Sequence, residues 1–205
     1  MDSKDVGLSL EDGWHGSHKL SRVVYTCAYC GSHAGSEEGY VSESPAGRPP
    51  RPASFIRICQ TCRAPSFFTA SGRIFPAAPP GSPISRLPQD IGALYNEARA
   101  SAGAEAHTAA VLTCRKILMH VAVVEGAAED KNFLYYVEYL ASSGFVPPKG
   151  KMWVDYIRRR GNEANHEILL MGAEDSRALI TFVEMLLRFI YEFPEMVPPA
   201  SVAAP

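Results

Sequence analysis

The chain is short of several things, and each shortage removes a class of protein. Positive charge is not in excess: 20 Lys and Arg stand against 22 Asp and Glu, a formal net charge of -2, so composition alone does not announce a nucleic-acid binder. The opening residues, MDSKDVGLSLEDGWHG, are acidic and polar, with no basic stretch leading into an apolar one, so no secretory leader is expected. Long hydrophobic runs are missing as well. The most apolar stretches are broken by charges such as Glu184 and Arg188, and no membrane span is expected. There is no internal repeat. With 46% hydrophobic and 20% charged residues in 205, what remains is a soluble globular chain of one ordinary domain or two small ones, with the cytoplasm as its expected place.

Cysteine is also scarce, and its placement is the most informative feature of the chain. Four of the five cysteines fall in two C-x2-C pairs, Cys27 with Cys30 and Cys59 with Cys62; the fifth, Cys114, stands alone. In a compartment that keeps thiols reduced, this spacing points to metal rather than to disulfides. Zinc favours four soft ligands in a tetrahedron, and a C-x2-C turn brings two thiolates to one ion at about 2.3 Å each. Gly31, after the first pair, permits the tight turn that aims backbone amides at the sulfurs. The expectation is a structural Zn2+ on Cys27, Cys30, Cys59 and Cys62, closed to substrate because no coordination position is open. His15, His18 and His33 are expected on the surface, and Cys114 as a small buried hydrophobe.

Composition shifts near residue 76. Before it, aromatic and β-branched residues flank the cysteines (Val23-Val24-Tyr25, Phe55 to Ile58, Phe67-Phe68-Thr69) and read as short strands around a Pro-rich loop at 42–54. After Pro88 the pattern is helical. Helices are expected from Gln89, over about 105–125, over about 132–143 with a stop at Gly144, from about 151 to 160 or through His166, and over about 174–193. The expected organisation is a flexible extension at 1–22, a zinc-ribbon module at 23–75, a Pro-rich linker at 76–87, a helical bundle at 88–194 and a disordered tail at 195–205. The fold class this implies is mainly α: a C-terminal five-helix bundle preceded by a small β-rich zinc ribbon. Charge is not strongly partitioned, with 9 basic and 7 acidic groups in residues 1–87 and 11 and 15 in the rest.

Taken in order, a set of residues resembles a known family. It comprises the two cysteine knuckles with Pro65 and the aromatics after the second, then Leu87-Pro88-Gln89-Asp90-Ile91 running into Tyr95-Asn96-Glu97-Ala98. Arg115, the run from Ile157 to His166 (IRRRGNEANH) and the ending Tyr191 to Pro194 follow. In this the chain is similar to the domain-of-unknown-function 4145 family, which is placed in the broader HEPN superfamily of helical nucleases and nucleotide-binding proteins. The resemblance implies a HEPN-like helical bundle that commonly forms a homodimer. In nuclease members, an arginine and a histidine four to six residues apart carry metal-independent RNA cleavage. Here Arg160 and His166 have five residues between them, and Arg159 and His166 six. On a continuous helix the seven-residue step from Arg159 returns to nearly the same face. His166 would move a proton near neutral pH, and Arg159 or Arg160 would hold the scissile phosphate. Arg158, Arg159, Arg160 and Asn162 are the candidate phosphate or RNA contacts. The nuclease form carries arginine immediately before the asparagine, and this chain has Gly161 there.

That departure tips the expected function toward a non-catalytic binding or adaptor module. It would be associated with nucleic acid or a nucleotide and would have a partner protein in a bacterial defence or restriction-type system. The alternative is an endoribonuclease, and a weaker one a structural dimerisation unit. The placement of the arginines just before Gly161-Asn162 and His166 keeps the functional reading level with that of an ordinary solvated basic face. Trp153 and Tyr156 read as core aromatics.

Overall fold

Two strands of nine residues each open the described chain. In the computed structural model, the residues described are 14–42, 53–147, 150, 152–157 and 170–196. The chain divides into two compact units, Met1–Pro79 and Pro80–Pro205.

The first unit is a five-stranded antiparallel meander in the order β1-β2-β3-β4-β5: His18–Thr26, His33–Val41, Phe55–Ile58, Pro65–Phe68 and Ile74–Phe75. Its inner face gathers Tyr25, Cys27, Ala34, Cys59 and Phe68, with Tyr25 edge-on to Phe68 at 5.0 Å between ring centres. Arg57 is buried with them. Its guanidinium lies over the rings of Phe55 and Phe68 and donates to the carbonyls of Ser21 and Ser36, which ties β3 to β1 and β2. Burial lowers the pKa of this arginine, and the four ring and carbonyl contacts are what make the buried charge tolerable.

The second unit is helical. Residues 80–88 lead into α1 (Gln89–Gly103), followed by α2 (His107–Val124), α3 (Phe133–Ser142), α4 (described over 152–157) and α5 (Ala173–Leu187). A π-helical turn, Arg188–Glu192, and a 3-10 turn, Pro194–Met196, continue α5. Asn132 caps α3 by accepting from the Tyr135 amide, and Asp175 caps α5 by accepting from that of Gly172. The core lies around α2, which packs on α1, α3 and α5 with Cys114, Ile117, Leu118 and Val121 fully buried. Facing them are Tyr95, Val137, Leu140, Ile180, Val183 and Leu186. Cys114 is the buried apolar thiol its spacing suggested, its pKa pushed up to about 12 by burial.

Two expectations need correction. The protein is not mainly α with a small ribbon. It has a mixed architecture, with a whole five-stranded sheet unit in addition to a helical one. The sheet takes in residues 18–22, which had been read as an extension, because β1 pairs from His18 onward: His18 opposite Gly39 and Lys19 opposite Glu38. Strand β2, HAGSEEGYV, holds only Tyr40 and Val41 among strong strand formers, so propensity conceals it; pairing on both sides makes it a strand. By length and composition alone α2 could cross a bilayer. Seven of its residues are buried against its neighbours, and Arg115 and Lys116 sit near its middle, so we read it as a core helix.

Candidate functional site

The four cysteines converge where two matching turns meet at one end of the sheet. Cys27 follows β1 and Cys59 follows β3. In each turn the first cysteine's amide donates to the carbonyl five residues on, Ser32 and Ala64, at 3.0 Å in both cases. The residue four positions on donates back to the cysteine carbonyl, Gly31 at 2.9 Å and Arg63 at 3.0 Å. Both of those residues are left-handed, at φ 69° and 64°. Gly31 adopts this conformation without cost, whereas Arg63 is held in it by its own contacts. Its guanidinium pairs with Glu38 at 2.6 Å, and its carbonyl accepts from Trp14 Nε1 at 2.8 Å.

The four Sγ atoms all lie within 4.8 Å of one another, with Cys27 and Cys62 3.7 Å apart and Cys30 and Cys59 3.9 Å apart. These separations are far beyond the roughly 2.05 Å of a disulfide. They bracket the edge of about 3.8 Å that a tetrahedron with 2.3 Å metal–sulfur bonds requires. The donor set therefore fits a four-thiolate metal site. Backbone N–H groups aim at three of the sulfurs: those of Tyr29 and Cys30 at Cys27, those of Thr61 and Cys62 at Cys59, and that of Ala64 at Cys62. Burial pushes the Cys27 and Cys62 thiols up. At Cys59 burial is outweighed by the amides of Cys62 and Thr61, which bring it down to about 7. Four thiols this close conflict as thiolates, and a cation among them removes the conflict. A bound ion would hold the turns together, and four thiolates leave it no open position. His15, His18 and His33 are exposed and outside the cluster.

In the helical unit a second feature was not singled out from sequence. A cavity of about 30 Å³ is lined by Val111, Arg115, Phe133, Tyr156, Ile157, Met171, Asp175 and Leu179. Its carboxylate, Asp175, accepts from the Tyr156 hydroxyl at 2.7 Å. The Arg115 guanidinium lies 4.3 Å over the Phe133 ring, and among the described residues it has no ion pair or hydrogen bond; burial lowers its pKa. The resemblance points to Arg115 as a basic residue, but its seat over Phe133 is set by packing that no local pattern encodes. Trp153 stacks on Phe182 at 6.3 Å and packs against the core, as its type suggested.

The candidate residues Arg158, Arg159, Arg160, Asn162 and His166 lie outside the described residues. The chain leaves the described region after Ile157 and returns at Leu170, and Ile157 and Met171 both line the Arg115 cavity.

A family model described as "Domain of unknown function (DUF4145)" matches residues 96–201, just over half of the chain, from within α1 to beyond α5. The four cysteines lie outside that span. No curated protein and no solved structure matches the chain.

Proposed function

The chain belongs to the DUF4145 family, and on that footing we propose that it is a non-catalytic module that binds nucleic acid or a nucleotide through phosphate. The observation that carries this reading is Arg115. This guanidinium is partly taken out of water over the Phe133 ring, in a cavity whose carboxylate, Asp175, is already engaged by Tyr156, and an anionic ligand there would complete it. Ile157 and Met171, described residues on either side of the sequence that carries Arg158, Arg159, Arg160 and Asn162, both line this cavity. The affiliation with the HEPN superfamily, homodimerisation, a cytoplasmic setting and a partner protein in a defence or restriction-type system are parts of this proposal. Zinc as the ion on the four cysteines is another, because a tetrahedral set of four thiolates suits it. Elemental analysis should find one zinc per chain.

Titration of a labelled single-stranded RNA and of ATP by fluorescence anisotropy and calorimetry tests the reading. Arg115→Ala should weaken binding about tenfold or more and flatten its salt dependence, since one phosphate contact is lost. Equal affinity for both proteins would remove Arg115 from the site.

The second reading is a metal-independent endoribonuclease with His166 moving the proton and Arg159 or Arg160 on the phosphate, favoured by the spacing of these residues. Incubation of labelled RNA without divalent cations decides between the two. The module reading expects no cleavage, and cleavage lost in His166→Ala would replace it with the nuclease.

A further inference from the structure

We infer that Cys30 is the point at which a hydroperoxide attacks the four-thiolate cluster, restrained there by the Ser32 hydroxyl, and that the attack ends in a Cys30–Cys59 disulfide. The inference rests on the four-thiolate metal site and is independent of the nucleic-acid reading.

The four sulfurs share one chemistry but differ in access. Cys27 and Cys59 are fully buried and Cys62 is partly covered, whereas Cys30 is exposed. Gly31, next to it, has nothing within 4 Å of the place where a Cβ would stand, so the turn is open beside Cys30. A cysteine reacts as its thiolate and only where a reagent reaches it; metal binding keeps the sulfurs deprotonated, and exposure selects among them.

Hydrogen bonding separates the sulfurs as well. Two backbone amides aim at Cys27, two at Cys59 and one at Cys62, and the turns themselves fix these donors. At Cys30 the partner is a side chain, the Ser32 hydroxyl at 2.9 Å. A donor draws charge from a thiolate and slows its attack. A hydroxyl that rotates holds that charge less firmly than an amide locked in a turn.

The oxidation takes two steps. The Cys30 thiolate attacks one peroxide oxygen, an S–O bond forms, the O–O bond breaks and hydroxide leaves, giving a sulfenic acid. The Cys59 sulfur, 3.9 Å away, then attacks the sulfenic sulfur; the S–S bond forms, the S–O bond breaks and a second hydroxide leaves. Two thiolates have lost two electrons to one peroxide, and solvent protons turn both hydroxides into water. Closing to the roughly 2.05 Å of a disulfide draws together the two turns that a metal ion would join. Cys27 and Cys62 remain as two ligands where a structural ion takes four, so the ion is released while the new bond tethers the turns.

The experiment treats the metal-loaded full chain with a modest excess of hydrogen peroxide. Dimedone captures sulfenic acid for peptide mapping, non-reducing digests locate the disulfide, and a chromogenic chelator follows the metal. Cys114, buried in the helical core, is the internal control, since label there would report unfolding. Dimedone should appear first on Cys30, and metal release should keep pace with a Cys30–Cys59 bond. Ser32→Ala keeps all four ligands and the carbonyl that accepts from the Cys27 amide, and thermal melting checks its fold. Losing one hydrogen bond to the thiolate, it should release metal about 2- to 10-fold faster. First labelling at Cys27, Cys59 or Cys62 would overturn the inference, as would a disulfide from Cys30 to any sulfur but that of Cys59. A Ser32→Ala rate equal to wild type would overturn the restraint assigned to the hydroxyl. A chain isolated without metal would sink the four-thiolate site and this inference together, whereas a metal-loaded chain whose thiols resist peroxide would sink the inference alone.

Discussion

Removal of the metal ion proposed on the four cysteines is expected to unfold the sheet unit and leave the helical unit standing. The sheet's core is small, and two of its five buried members, Cys27 and Cys59, are themselves candidate ligands. A core of this size supplies only about 3–5 kcal/mol. A structural zinc ion on four thiolates contributes apparent binding free energy on the order of 10–16 kcal/mol, most of which appears as folding. The helical core shares no residue with the sheet core and contains no candidate ligand. Treatment with a strong chelator, or Cys59→Ser, should therefore abolish the amide resonance dispersion of residues 14–75. Most of the helical circular dichroism should remain. Sheet resonances that persist unchanged in demonstrably metal-free protein would show that the cysteines are not what holds the unit together.

The second large effect is expected at Gly39, opposite Arg57 in the ladder. A Cβ at this position would lie 2.0 Å from the Ile56 carbonyl oxygen, 3.0 Å from its carbon and 3.1 Å from Arg57 Cα. All three are backbone atoms of the neighbouring strand, so no side chain can swing aside. Strands β2 and β3 would have to separate at the point where Arg57 reaches the Ser21 and Ser36 carbonyls, leaving a buried guanidinium with weakened partners. Gly39→Ala should cost about 3 kcal/mol or more. Gly31→Ala is the internal comparison, since nothing lies within 4 Å of its Cβ position and only the left-handed φ of 69° opposes it, at about 1–2 kcal/mol. Chemical denaturation of the three proteins measures both, and a Gly39 variant as stable as wild type would mean that the strands tolerate local separation.

The contrast between these glycines shows how much was legible beforehand. Gly31 was readable because a glycine after C-x2-C is a local signal with a local cause. Its counterpart Arg63 carries no such mark: its left-handed backbone follows from contacts with Glu38 and Trp14, 25 and 49 residues away in sequence. Helices α2, α3 and α5 announced themselves through apolar residues at steps of three and four, α1 through Pro88 and the good helix formers after it, and Gly144, in a left-handed conformation just past α3, marked a real stop. Strand β2 was hidden because its Ala, Gly, Ser and Glu residues are poor strand formers, so propensity does not betray them even though Ala34 packs in the core. The row of Tyr40, Ile56, Phe67 and Phe75 across β2 to β5 was equally hidden. These residues sit in four segments, and only the strand register lines them up.

The proline-rich stretch before α1 also changes where the chain can be divided. Glu184 accepts from the Ser82 amide, Glu192 takes both donors of Ser85, and Arg188, itself paired with both carboxylates, donates to the Pro83 carbonyl. Arg99 holds the carbonyls of Pro80 and Gly81, and the buried Tyr95 hydroxyl donates to that of Ser82. The stretch is thus a harness fastened to α1 and α5. Recombination that joined new sequence at residue 80 would pass the helices on with their harness intact. A joint at residue 88, where the helical pattern begins, would strand the Tyr95 hydroxyl in the interior and leave Glu184 and Glu192 without their backbone donors. As a heritable cassette, the helical half begins at Pro80, nine residues before its first helix at Gln89.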